Sequence, residues 1–281
     1  MHSVLSDGSD EPEQLAELAA AAGCTTIALT DHDRLDGVDR VRTRAAELGV
    51  NVLAGCELSC QVTYDVPGVR PVLHILVYFT EPGDGALQEE LERQLVLRRD
   101  RNERLVTRLR DLGIDVTFDD LSAEAGKDDG IGRPHVAKVL VNKGVVGSIQ
   151  EAFDVWLAKG KPGYVEREEM TASEALRLSK ESGGVTVIAH PLSLGLAGQS
   201  FSNALTELRD LGLSGMECVY GRYSPQQRHS LATLAQSLGL VVSGGSDYHG
   251  TYKPDLRVGV GKGDLQVPDS VIPELQARRT A

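Results

Sequence analysis

Short apolar runs alternate along the chain with longer segments in which apolar residues recur at helical spacing. The apolar runs predict buried strands, and they occupy residues 25–29, 50–54, 72–78, 185–189, 215–219 and 240–242. The helical spacing predicts amphipathic helices, and it covers residues 12–22, 38–48, 172–181, 202–211, 225–238 and 267–281. Because strand and helix follow each other in turn, the pattern favours a parallel β/α fold.

Residues 81–165 break this alternation, because no strong strand pattern occurs in them. Helices are predicted there instead, at 87–112, near 119–121, at 134–143 and at 148–158. The charged residues of the long first helix, Arg98 and Arg101 among them, are expected on its solvated faces. The pattern therefore predicts one β/α domain built from 1–80 and 166–281, with 81–165 as a helical insertion over its active site.

Composition narrows the possible partners. Hydrophobic residues make up 41% of the 281 residues, which is enough for a sizeable core. The net charge of −12 argues against a general basic surface for long nucleic acid, although bound metal could reverse the charge locally for a small phosphorylated ligand. No apolar run approaches the roughly 18–20 residues of a membrane helix, and the chain opens with no signal peptide. The four cysteines include no C-x-x-C pair, so we expect a cytoplasmic protein with reduced thiols and no membrane partner.

Histidines and carboxylates recur where predicted strands end. Five of the seven histidines and three carboxylates form this set, which is His2, Asp7, His32, Glu57, His74, His190, Asp247 and His249. In β/α folds the carboxyl ends of the strands carry the chemistry. A single strand histidine is more often a core residue than a ligand, but the recurrence favours one shared site.

The side-chain types in this set predict a metal centre. Imidazole and carboxylate donors without thiolate suit Mn²⁺, Zn²⁺ or Fe²⁺, and the neighbouring Cys56 and Cys60 are expected to pack inward. The set is too large for one ion and suits two or three, with Glu57 as the bridging ligand. Clustered divalent ions stabilise displacement at phosphorus and generate hydroxide near neutral pH. C–N hydrolysis is a rival chemistry, but it often uses a carboxylated lysine, and no lysine lies at a predicted strand end.

Short motifs carry these residues, and in chain order they are His2-Ser3 with Ser6-Asp7-Gly8, Thr30-Asp31-His32-Asp33, Gly55-Cys56-Glu57, His74, Ala189-His190-Pro191 and Ser246-Asp247-Tyr248-His249. In this order, over nearly the whole chain, they resemble the motifs of PHP (polymerase and histidinol phosphatase) domains. The insertion contains Gly132-Arg133-Pro134-His135-Val136. With it the chain is similar to the subgroup of bacterial phosphoesterases that act on nucleoside 3′,5′-bisphosphates, 5′-nucleotides and the 5′ ends of short RNA.

The resemblance implies a fold and a metal arrangement. The fold would be α/β, a distorted seven-stranded β/α (TIM-like) barrel with a helical insertion domain. Three ions would be held by His2, Glu57 and Asp247; by Glu57, His74 and His190; and by Asp7, His32 and His249. The implied reaction is attack of a metal-bound hydroxide on a phosphate monoester of a small nucleotide or short oligonucleotide.

Beyond the metal ligands Glu57, His190 and Asp247, the catalytic set includes Arg133. A guanidinium holds a phosphate through two hydrogen bonds, which lysine cannot do. Arg133 and His135 are therefore the best candidates for substrate contacts, and Lys161 and Tyr164 are weaker ones in a segment that also suits a plain hinge turn. Two alternatives remain open, a histidinol-phosphate-type phosphatase and a non-catalytic metal-binding module.

The start of the chain departs from the family pattern. PHP domains open with H-x-H on the first strand, whereas this sequence opens with Met1-His2, which matches only the second histidine. We expect the true start to lie upstream, and the longer form to bind one more metal equivalent. The alternative is a first metal site that is natively depleted.

Overall fold

The computed structural model describes residues 1–126 and 129–279. Its strands are β1 (Thr26–Ala28), β2 (Asn51–Leu53), β3 (Gly55–Cys60), β4 (Leu73–Tyr78), β5 (Val185–Ile188), β6 (Gly215–Tyr220) and β7 (Val241–Gly245). Each apolar run that predicted a strand overlaps one, and β6 and β7 extend beyond the predicted ends. Strand β3 was not predicted, because Gly55-Cys56-Glu57 was placed beyond the end of the strand predicted at 50–54.

Strand β3 escaped prediction because both of its faces are buried. Cys56, Leu58 and Cys60 pack into the main hydrophobic core, as expected for the two cysteines. Glu57 and Ser59 alternate with them and face the other side of the strand, as the period of two requires. A buried strand with one polar face lacks both the continuous apolar run and the polar, solvated face of ordinary strand patterns.

The strands form a mixed α/β fold rather than the parallel one predicted. β1 pairs with β2 in parallel, and the other five strands form a sheet in the order β3-β4-β5-β6-β7. Within this sheet β4 is antiparallel to both neighbours, whereas β5, β6 and β7 run parallel. The segment from β3 to β4 contains no helix, and a parallel pair needs a crossover connection that is usually helical.

The helices are α1 (Pro12–Ala21), α2 (Val38–Glu47), α3 (Ala86–Asp111), α4 (Phe118–Ala125), α5 (Arg133–Asn142), α6 (Ile149–Ala152), α7 (Ala172–Glu181), α8 (Gly198–Asp210), α9 (Pro225–Ser237) and α10 (Val271–Gln276). A π-helical turn, Phe153–Leu157, continues α6. The predicted helices are confirmed, except that α8 begins earlier and α10 is shorter than the predicted 267–281, of which 280–281 lie outside the described residues. None of the described helices is long and apolar enough to cross a membrane.

Helix α3 passes from one hydrophobic core to another. Leu87 and Leu91 near its start belong to the core of the five-stranded sheet. Leu105 and Leu109 near its end belong to a separate core that is built entirely from residues between 105 and 165. Arg98 and Arg101 lie between these two pairs on the same face, and both are buried rather than solvated as predicted.

Candidate metal centre

The structure brings the predicted ligands together. Their ligand atoms form overlapping groups in which all atoms lie within 4.8 Å of one another, namely His2, Asp7, His32 and His249; His32, Glu57 and His74; and His2, Glu57 and Asp247. His190 joins them through its Nε2, which lies 3.1 Å from Oε1 of Glu57. All eight side chains therefore line one cluster.

Glu57 is the centre of the cluster. Its Oε1 lies 2.7 Å from Nδ1 of His74 and 3.1 Å from Nε2 of His190, and its Oε2 lies 2.9 Å from Nε2 of His2. Burial alone would raise the pKa of this carboxyl, but the neighbouring His32 and His74 hold it well below its usual range. A buried, ionised carboxylate with histidines on both oxygens is the arrangement that a bridging ligand requires.

Asp7 gathers the other side of the cluster. Its Oδ1 lies 3.3 Å from Nε2 of His249 and 3.5 Å from Nδ1 of His2, and its Oδ2 lies 3.7 Å from Nε2 of His32. The resemblance implied a group of Asp7, His32 and His249, which the structure brings together. It also places His2 in that group, and His32 in the group of Glu57 and His74.

Unusual backbone conformations present two of these side chains. His190 follows β5 with φ 29°, and Asp247 lies two residues after β7 with φ 51°. Positive φ is costly for residues other than glycine, and such strain concentrates at functional sites. The Oε2 of Glu217 accepts a hydrogen bond of 2.6 Å from the His190 N–H, which helps to hold His190 in this conformation.

Further polar residues that the sequence did not single out support the ligands. Asp31 accepts hydrogen bonds from the N–H and hydroxyl of Ser3, each at 2.7 Å, and so anchors the turn that carries His2 and Asp7. The Oδ2 of Asp247 accepts from the Tyr220 hydroxyl and from Nζ of Lys253. The sequence contained a sign of two of these residues, because Asp31 lies inside a recognised motif and Glu217 interrupts an apolar run. The sequence contained no such sign of Lys253.

The cluster fits divalent cations. Oδ1 of Asp7 and Nδ1 of His32 are buried without a hydrogen-bond partner. Burial lowers the pKa of His32 to about 3, so its ring is neutral, as a metal ligand must be. Burial would also lower the pKa of His2, but hydrogen bonds to Asp247 and Glu57 raise it to about 9. These neutral and carboxylate donors suit Mn²⁺, Zn²⁺ or Fe²⁺, and a bound cation would displace the His2 proton.

A cleft of about 750 Å³ opens beside the cluster and is lined by Asp7, His32 and His74. Arg133, the first residue of α5, also lines it, with its guanidinium 5.1 Å from the ring centre of Tyr164. The structure therefore places Arg133 and Tyr164 in the cleft that opens beside the ligand cluster.

Two other predicted substrate residues lie elsewhere. His135 is buried at the start of α5, where its Nδ1 accepts a hydrogen bond from the Gly132 N–H. Lys161 lies in the turn after the π-helical segment. Neither is among the described residues that line the cleft.

Comparison with known proteins agrees with this geometry. The PHP domain model matches residues 1–167. A 5′-3′ exoribonuclease of Haemophilus influenzae is 32% identical over 272 residues, covering 97% of this chain and 95% of that protein. A 3′,5′-nucleoside bisphosphate phosphatase of Chromobacterium violaceum is 31% identical over 248 residues, and the match covers 88% of this chain and 85% of that protein.

A solved structure from Bifidobacterium adolescentis, described as a metal-dependent phosphoesterase, matches the fold with a TM-score of 0.84. It is 30% identical in sequence, and the match covers 100% of this chain and 95% of that one. The resemblance seen in the motifs is thereby confirmed. The chain belongs to the PHP domain family and is a metal-dependent phosphoesterase.

Proposed function

We propose that this phosphoesterase removes a phosphate from a small nucleotide, either a nucleoside 3′,5′-bisphosphate, a 5′-nucleotide or the 5′ end of a short RNA. The observation that carries the proposal is that Arg133 lines the same cleft as Asp7, His32 and His74. A phosphate held by Arg133 could therefore reach the ligand cluster. The exoribonuclease and bisphosphate phosphatase activities named for the relatives support this substrate class.

Two or three divalent ions would occupy the cluster, drawn from Mn²⁺, Zn²⁺ and Fe²⁺. Their proposed ligands are His2, Glu57 and Asp247; Glu57, His74 and His190; and Asp7, His32 and His249. When bound, such ions neutralise phosphate oxygens and activate water near neutral pH. The protein contributes fixed donors, with Glu57 shared between two of the groups.

Arg133 orients the substrate. Its Nε is buried without a hydrogen-bond partner, so this donor is available to a ligand. Tyr164 packs against the guanidinium by a cation–π contact, which restrains the direction of the fork. Nδ1 of His135 accepts a hydrogen bond from the Gly132 N–H, just before Arg133, and so fixes the start of α5. A direct contact from His135 or Lys161 to substrate stays a prediction.

We also infer that the strands belong to one distorted barrel formed by residues 1–80 and 166–281, with 81–165 as a helical insertion domain. Main-chain contacts between the two sheets support this inference. The Met1 carbonyl accepts a 3.0 Å hydrogen bond from the Thr30 N–H, and the His2 N–H donates at 2.9 Å to the Tyr248 carbonyl. His32 forms a parallel bridge with Glu57 on β3. The separate core between 105 and 165 supports the insertion.

Arg133→Ala is expected to raise KM for a nucleotide substrate by roughly 10–100-fold, the effect of losing charge-assisted hydrogen bonds, with a smaller fall in kcat. A phosphate contact that is equally strong in the ground state and in the transition state affects substrate binding rather than turnover. Arg133→Lys should recover only part of the affinity, because the planar fork is lost. Steady-state kinetics with Arg110→Ala, an exposed arginine on α3, as the matched control would measure this. Wild-type KM and kcat in both Arg133 variants would show that the insertion does not bind substrate.

The substrate class is tested by loading the protein with Mn²⁺, counting the bound metal and assaying a panel of phosphate esters. The panel contains a nucleoside 3′,5′-bisphosphate, a 5′-nucleotide, a 5′-phosphorylated RNA trimer and histidinol phosphate. We expect the highest kcat/KM with one of the nucleotides. Faster turnover of histidinol phosphate would support the alternative phosphatase, and bound metal with no hydrolysis would support the non-catalytic module.

A further inference from the structure

A cluster of arginines lies in the wall of the cleft beside Arg133. It consists of Arg98, Arg101 and Arg167, which are 9%, 3% and 8% exposed. Among the described residues, the carboxylates that pair with this cluster are Asp33, which contacts Arg98 and Arg167, and Glu169, whose Oε1 lies 3.6 Å from Arg167. With Arg133, this group holds four cations against two paired carboxylates, while Asp7, Asp65, Glu166 and Glu168 also line the same cleft.

Arg101 is the most unusual member of this cluster. No described carboxylate lies within ion-pair distance of it, and its Nε and Nη1 are buried without a hydrogen-bond partner. Burial and the charges of Arg133, Arg98 and Arg167 push its pKa well below the usual range. A buried, unpaired charge is strongly destabilising, and an anion bound against Arg101 would remove that cost. Nε of Arg98 and of Arg133 are also buried and unpartnered.

We propose that Arg101, with Arg98 and Arg167, forms a second anion subsite that binds a phosphate group of the substrate other than the one hydrolysed. The subsite rests on the proposed function, because it acts on the same nucleotide. Several guanidinium groups that line one cleft suit the tetrahedral, doubly charged phosphate. The cleft volume of about 750 Å³ is in the range that accommodates a small ligand such as a nucleotide.

This subsite gives the enzyme a preference between substrates. A nucleotide with two phosphates can place one at the metal cluster and the other against Arg101, whereas a simple monoester uses only the first position. The preference for doubly phosphorylated substrates would then depend on Arg101, while hydrolysis itself would not. Among the described residues Arg101 makes no ion pair with a predicted metal ligand, so its removal should leave the ligand cluster intact.

The test compares Arg101→Met with wild type, both loaded with Mn²⁺, on a nucleoside 3′,5′-bisphosphate and on p-nitrophenyl phosphate. We expect kcat/KM for the bisphosphate to fall by roughly 10–100-fold through KM, the effect of losing charge-assisted hydrogen bonds, with p-nitrophenyl phosphate unaffected. Arg101→Lys should recover part of the affinity, since it restores charge but not the fork. Arg99→Met, an exposed neighbour on α3, is the matched control and should change neither substrate.

The outcomes separate the subsite from the proposed function. If wild type hydrolyses both esters and Arg101→Met keeps the wild-type ratio of the two kcat/KM values, the subsite is overturned and the function stands. If the variant loses both activities equally, Arg101 has only a structural role. If wild type hydrolyses neither of these esters nor any nucleotide of the panel described above, the proposed function fails and the subsite with it. Should Arg101→Met not fold, Arg101→Gln provides the same comparison with a polar, uncharged side chain.

Discussion

His190→Ala and Asp247→Ala are each expected to reduce phosphate release by on the order of 10³-fold or more, because stabilisation by a bound ion contributes several kcal/mol to the reaction. His190 reaches Oε1 of Glu57 and Asp247 reaches Nε2 of His2, so each change removes a donor from the centre of the cluster. Neither residue belongs to a hydrophobic core, and the fold should survive. Initial rates at saturating Mn²⁺, with metal content and circular dichroism on the same samples, would measure the effect.

His229→Ala is the matched control for the histidine change. His229 is exposed on α9 and lies outside the cluster. It should keep full activity and metal content. Full activity in either folded cluster variant would remove His190 or Asp247 from the proposed ligand set.

The ligand cluster could be predicted from sequence because its chemistry is local. Each ligand lies in a short motif, and histidine or aspartate at strand ends is visible without knowing how strands are arranged. The pairing of strands is not local. Nothing near β4 indicates that it runs antiparallel, since this depends on its pairing with β3 and with β5, which follows several helices later. The assignment of His2 and His32 to more than one group likewise depends on distances that only the packed strands define.

The arginine cluster was missed for a different reason. Charged residues along a helix were taken as solvated, which is the usual outcome. Arg98 and Arg101 nevertheless fall at helical spacing with Leu91 and Leu105, which are buried. The apolar stripe along α3 therefore already indicated the arginine cluster, because two positively charged residues lie on its buried face. Charged residues within an apolar helical stripe indicate a candidate binding site.

Asp33→Asn is expected to lower the free energy of unfolding by about 3–5 kcal/mol, the usual cost of removing one partner from a buried ion pair. Asp33 is fully buried, contacts Arg98 and Arg167, and accepts a 2.9 Å hydrogen bond from the Ser59 N–H. Burial would raise its pKa, but the two guanidinium groups lower it to about 2, so it is ionised in the folded protein. Asparagine tolerates the φ of 56° found here, and the loss should therefore report charge rather than backbone strain.

Denaturant unfolding of Asp33→Asn, beside Asp100→Asn as the control, would measure this loss. Asp100 pairs with Arg104 on the exposed face of α3, where such a pair contributes less than about 1 kcal/mol. Without Asp33 the arginines have lost their main counter-charge, so added inorganic phosphate should stabilise the variant more than it stabilises wild type. A loss no larger than that of Asp100→Asn would mean that Asp33 does not compensate the buried arginines. Equal stabilisation of both proteins by phosphate would mean that their excess charge is not available to an anion.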